Sequence, residues 1–359
     1  MIYFDHAACL PPDSADIAVF NELLLRCNAN SESTHAAGRT VKLELEQAGQ
    51  TIAATLMPQW AEPQVYFAAS GSDAFNLLWH SLPEINGNVV GSAFDHPALT
   101  NMLKHVGGLF NFAALPERIM EFCRAETQII ALTHVQSELG VITPVDELIL
   151  NLRKCSPRAL MVVDTIQSAG KLPLPTLADV VILSGHKIGA VGGAALVINP
   201  RCKMKFDFNA VRHADYYIGR AEPLQILFMA EMAKRFAANQ TENLAKVIQI
   251  NRYLRSETAK IPGVIATMPL ERTSPYILHL RIKDKQGAII ARMLSEHNIM
   301  VSSGSACRAE SGGPSAALSA LGLRGNAAYE GLRLSFSPAN TPHEAERFIE
   351  VLNAVLKDY

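Results

Sequence analysis

The chain has 359 residues, 49% of them hydrophobic and 18% charged, which is enough for a large core and for two domains. A net charge of -2 and a pI near 6.6 give no electrostatic case for direct binding to nucleic acid or a lipid surface. Six cysteines without metal-type spacing suggest a reducing compartment and no metal site, and Met1 to Asp5 lacks the basic stretch of a secretory signal, so a cytoplasmic protein is expected.

In chain order, strand-like apolar runs fall at 65–67, 89–91, 129–132, 160–163, 180–183 and 194–197, with helical or loop stretches between them. This alternation predicts an α/β fold whose mostly parallel sheet is covered on both faces. The first run enters a small-residue turn, Ser70-Gly71-Ser72, and a helix is expected from about Asp73. A helical stretch from Leu224 and a second over 242–260 lead to a strand at 276–281, the start of a smaller domain. The apolar stretch around Lys187 is long enough to suggest a membrane span, but His186 and Lys187 at its centre argue for a soluble sheet.

Three segments carry candidate chemistry. Lys187 ends Ser184-Gly185-His186-Lys187, where one apolar run breaks and another follows a glycine turn. A lysine at the mouth of a buried sheet loses hydration, and its neutral amine can condense with a carbonyl cofactor such as pyridoxal phosphate; locally, a surface lysine on a turn fits as well. Asp164 stands at the C-terminal end of the run 160–163, where open α/β sheets bind ligands. It suits a pyridinium nitrogen, and equally a helix cap. Gln167, one turn on, is within reach of a ring hydroxyl. At the Ser-Gly-Ser turn a helix N-terminus offers N–H groups and a positive dipole end to a phosphate, with Gly71 allowing close approach and Ser72 adding a hydroxyl. Alone, that turn reads as an ordinary helix start.

Together these segments resemble the class V aminotransferase superfamily of fold-type I pyridoxal phosphate enzymes, and within it the cysteine desulfurases of the NifS/IscS kind. The resemblance covers nearly the whole chain, including Tyr3 to Ala8, Asn28 to Arg39 and His134 to Gly140. It implies a large domain over 15–244 built on a seven-stranded, mostly parallel sheet, and a smaller α+β domain from 1–14 and 245–359 that carries a catalytic cysteine loop. It implies that Lys187 holds pyridoxal 5'-phosphate and shuttles protons. His96, in Phe94-Asp95-His96-Pro97, stacks on the ring. Ser72, Ser184 and His186 hold the phosphate. Cys307, closing Val301 to Cys307, takes sulfur from the cofactor-bound L-cysteine as a persulfide and leaves alanine. Arg333 grips the substrate carboxylate, a role suited to a planar bidentate donor. A polar, glycine-rich loop with Arg308 beside the thiol suits a mobile thiolate, whereas Cys123 and Cys155 fit the buried, inert kind. A homodimer and a sulfur-acceptor or scaffold protein are the partners implied.

Two positions depart from the family pattern. Ser137 stands where an asparagine approaches the ring hydroxyl and the substrate, and a hydroxyl cannot reproduce an amide's donor geometry. Arg220, in Tyr217 to Pro223, aligns with a threonine that reaches the phosphate of the partner subunit's cofactor. Rival readings keep the fold and change the reaction to a transaminase, a selenocysteine lyase or another lyase, or retain the chain as a weakly active partner in a sulfur-transfer complex.

Overall fold

The structure is a computed structural model, and it describes residues 1–27, 29–106, 108–208, 222–304 and 314–359. Its elements are β1 (Ile2–Tyr3), α1 (Ser14–Arg26), α2 (Ala36–Leu56), β2 (Gln64–Ala68), α3 (Gly71–His80), β3 (Asn88–Ser92), α4 (Pro97–His105), β4 (Leu109–Ala113), β5 (Thr127–Thr133), α5 (Val145–Cys155), β6 (Leu160–Asp164), β7 (Val180–Ser184) and β8 (Ala194–Ile198). There follow α6 (Pro223–Ala238), α7 (Gln240–Thr258), β9 (Val264–Ala266), β10 (Ile277–Ile282), α8 (Gly287–Glu296), β11 (Ile299–Met300), α9 (Ala316–Ala320), β12 (Gly331–Ser335) and α10 (Pro342–Asp358). The chain divides into two units, one of Pro11–His134 with Pro144–Asn239, the other of Met1–Leu10, Val135–Thr143 and Gln240–Tyr359.

The first unit holds a seven-stranded sheet in the order β2-β8-β7-β6-β5-β3-β4. Strands β4, β3, β5, β6 and β7 run parallel, while β8 and β2 are antiparallel to their neighbours. Every residue of β3, β6, β7 and β8 is buried, because their unbroken apolar runs are covered on both faces. One core layer packs Ile52, Ile130, Val163, Phe228 and Met232; the other packs Phe75, Leu78, Leu99, Ile129 and Ile182. The β3–β4 connection leads outward on one side and β5 to β7 build the other, so the order reverses beside β3 and β5. In such sheets ligands usually bind at this reversal, outside the C-terminal strand ends.

The second unit packs β12, β10 and β9, an antiparallel sheet, against α7, α8 and α10. β1 pairs in parallel with β11 and brings Phe4 into this core, where its ring meets Phe336 and Phe348 edge-on at 5.5 and 6.0 Å. The start of α10 is fixed by a capping box, Thr341 with Glu344, and by Pro342 in the first turn.

The loop Val135–Thr143 belongs to the second unit, because Val141 bridges to Thr273 and Gly140 accepts from Ser274 at 2.8 Å. Gly140 has φ of 73°, and a Cβ there would lie 2.9 Å from Cβ of Ile277. The remaining divisions fall after Leu10 and Asn239.

Candidate active site

Asp164 ends β6 with its side chain buried. Its Oδ1 accepts from the Ile166 N–H at 2.9 Å, closing a tight turn that carries Gln167, itself buried. The local role is therefore a turn cap, and the residues after it form turns instead of the helix that a cap reading anticipates. Burial pushes the Asp164 carboxyl up to about 6, although the Ile166 N–H and the Lys187 ammonium both pull it down.

Lys187 ends a single 3-10 turn, Gly185–Lys187, directly after β7, and is half-buried. That turn exists because glycine lets two backbones touch: Gly185 N–H donates to Gly193 at 2.9 Å, and a Cβ at Gly185 would overlap the Gly192 carbonyl oxygen. Within the turn Ser184 Oγ stands 3.3 Å from His186 Nδ1. Burial and the Lys187 charge both hold the His186 imidazole below its usual range.

The helix α3 begins at Gly71, two residues earlier than the sequence suggested, because Ser70 is its cap and accepts from Asp73 N–H at 3.2 Å. Ser72 is exposed in the first turn. A Cβ at Gly71 would lie 2.7 Å from Cδ1 of Ile166 and 3.5 Å from Cβ of Ser184, so this helix start abuts both the Asp164 turn and the Lys187 turn. His96 precedes α4 and is half-buried, with Nδ1 accepting from Ala98 N–H at 3.1 Å, which leaves its proton on Nε2.

In the second unit Arg333 is 2% exposed in β12. Its guanidinium donates to the Ser137 carbonyl oxygen at 2.9 Å and to Asp5 Oδ1 at 2.6 Å. The structure thus brings Ser137 and Arg333 together through the main chain of Ser137. Cys307 and Arg220 lie outside the described residues. Among the described cysteines Cys123 is buried, and burial pushes its thiol up to about 12.

Three ionisable groups near these residues were passed over in the sequence. Asp95 follows β3, is 3% exposed, and accepts from Ser92 N–H at 2.6 Å and from the Thr133 hydroxyl at 2.8 Å. Burial raises it to about 7, and the Asp164 charge adds to the rise. Lys171 is buried after the Gly170 turn, and burial, with the Lys187 charge, brings it down to about 7. An acid or a lysine bordered by apolar and small residues at a strand end was the available sign. The third, Asp5, shows its role only through the contact with Arg333. No cluster of metal-ligating side chains occurs among the described residues, and none of their helices is long and apolar enough to cross a membrane.

The fold has counterparts among solved structures. A solved structure described as a NifS-like protein superposes with a TM-score of 0.86 at 18% identity, each chain covered in full. A NifS-like protein from Rickettsia africae gives 0.84 at 23% identity, with 99% of each chain covered. In sequence, cysteine desulfurase IscS of Shewanella sediminis is 26% identical over 387 residues, spanning 99% of this chain and 93% of its own. The family model for aminotransferase class-V matches residues 2–348, from the first strand to the last helix. A chain matched over that span, with a lysine turn and a buried aspartate at adjacent strand ends, belongs to the aminotransferase class-V family.

Proposed function

We propose that this chain is a pyridoxal phosphate-dependent cysteine desulfurase that converts L-cysteine to L-alanine, takes the sulfur as a persulfide on Cys307 and passes it to an acceptor protein. The observation that carries the reading is the buried Asp164 carboxyl under the field of Lys187, beside a helix start at Gly71 that packs against Ile166 and Ser184. This donor set fits the cofactor. Hydroxyls of Ser72 and Ser184, the His186 ring and the first N–H groups of α3 suit a phosphate, and Asp164 suits a ring nitrogen.

When bound, the cofactor supplies an electron-withdrawing ring that acidifies the substrate's α-carbon. In its ionised form, which the Lys187 charge favours, Asp164 would hold the proton on the ring nitrogen. Gln167 would hold the ring hydroxyl, and His96 would stack on the ring and shield it from water. Lys187 Nζ anchors the cofactor and moves a proton at the α-carbon. Arg333 takes the substrate carboxylate with Ser137 beside it, and the Cys307 thiolate receives the sulfur. Arg220 clamps phosphate across a homodimer. Exposed Ile17, Leu24 and Leu25 on α1 and Leu43 on α2 support a self-association surface. The free state of the five described cysteines supports work in a reducing compartment such as the cytoplasm.

The test is to incubate the purified holoenzyme with L-cysteine and a thiol acceptor and to assay alanine and transferred sulfur. Equal yields support the desulfurase. Pyruvate, or transfer of the amino group to a keto acid without sulfur on the protein, supports a lyase or a transaminase instead.

A further inference from the structure

Asp5 occupies the Arg333 guanidinium that the proposed function assigns to the substrate carboxylate. The N-terminal segment fixes this contact. Ser335, two residues beyond Arg333 in β12, donates through its N–H to the Phe4 carbonyl oxygen at 2.7 Å, and its hydroxyl accepts from Ala7 N–H at 2.8 Å. Asp5 is therefore held between two anchored residues, with its side chain 20% exposed and Oδ1 2.6 Å from Arg333. Of the guanidinium nitrogens, one serves Asp5, one serves the Ser137 carbonyl oxygen, and Nε is buried without a hydrogen-bond partner among the described residues. The neighbouring His279, opposite Arg333 in the β10–β12 ladder, is brought down to about 3 by burial and then by the Arg333 and Arg281 charges, so it is neutral.

We propose that Asp5 is a resident competitor for the substrate carboxylate and thereby sets the affinity of the enzyme for amino acids. With no substrate, Asp5 compensates a cation that would otherwise be buried alone, which is unfavourable. An arriving carboxylate must share the same guanidinium with Asp5, and two like charges on one donor repel. The substrate gains only the difference. Removing the Asp5 charge raises the free energy of the empty enzyme and removes the repulsion in the complex, so both effects tighten binding.

This inference rests on the reading that Arg333 receives the substrate carboxylate, and the experiment separates the two. In the holoenzyme Asp5→Asn is expected to lower KM for L-cysteine about fivefold, with the change carried by KM more than by kcat. The same variant melts lower than wild type without ligand and gains more from added L-alanine. L-Alaninol, which lacks the carboxylate, gives no such extra gain. If Asp5→Asn does not fold, Asp5→Ser carries the same expectations. An unchanged or raised KM, together with an L-alanine gain no larger than in wild type, overturns the competitor role and leaves Asp5 as a tether of the N-terminus. Arg333→Gln tests the underlying reading: if it leaves KM for L-cysteine unaltered, Arg333 does not bind the substrate carboxylate at all.

Discussion

The carboxyl of Asp95 is hydrogen-bonded to Thr133, the residue that stands opposite Asp164 in the ladder between β5 and β6. Through one intervening strand the protein keeps two buried acids close enough for the charge of Asp164 to raise Asp95. The protonated form of Asp95 is thus favoured in the native state, and ionising it opposes folding.

The consequence for stability has a definite sign. Asp95 is raised from 3.8 to about 7, so the folded state binds its proton more tightly than the unfolded state does, and native stability declines as pH rises through that window. Asp95→Asn removes the ionisation and retains acceptor and donor groups. Its stability relative to wild type should be flat below about pH 4, climb between about 4 and 7, and level off above. Urea denaturation across a pH series measures the difference; a gap that does not vary with pH contradicts the assignment.

Gly185→Ala should cost about 1–3 kcal/mol, the range for forcing extra volume into a packed site, since the added methyl meets the Gly192 backbone and not a yielding side-chain end. Because Lys187 is two residues away in the same turn, the variant should also take up pyridoxal phosphate poorly. Visible absorbance after reconstitution reports the second effect, and thermal unfolding the first.

Phe4→Ala should remove about 3–5 kcal/mol from the second unit, as expected for a fully buried aromatic that packs edge-on against two others. A loss below about 1 kcal/mol in chemical denaturation would show that the N-terminal segment is dispensable to that core.

Cys307→Ser should retain the visible absorbance of the cofactor while losing alanine and persulfide formation, because a serine hydroxyl is a far poorer nucleophile toward sulfur near neutral pH. Substitution of Cys9, Cys27, Cys123, Cys155 or Cys202 in turn should leave alanine release near wild type. Alanine release at the wild-type rate from Cys307→Ser sinks the desulfurase reading.

Much of the sheet was legible because its central strands are apolar on both faces: the runs at 160–163 and 180–183 extend by a single residue in the structure, to Asp164 and Ser184. β4 was not legible. It is an edge strand whose Leu109 is 68% exposed and whose polar Asn111 breaks the run, so neither alternation nor continuity marked it. Lys187 and Asp164 could be paired from sequence since both follow strands that end on the same side of one sheet. Asp5 with Arg333, and Val141 with Thr273, could not, because such contacts are set by tertiary packing and leave no local pattern. Likewise Ser70 caps α3, which starts at Gly71 and not near Asp73 where the sequence had suggested.

The parallel pairing of β1 with β11 has a consequence for synthesis. Ile2 and Tyr3 leave the ribosome about 300 residues ahead of their partners Ile299 and Met300, which at roughly 5–20 residues per second means tens of seconds. Throughout that interval β1 has no β11 to join. The seven-stranded unit, whose segments end at Asn239, can form in the meantime, so β1 is made before that unit and finds its partner strand only after it.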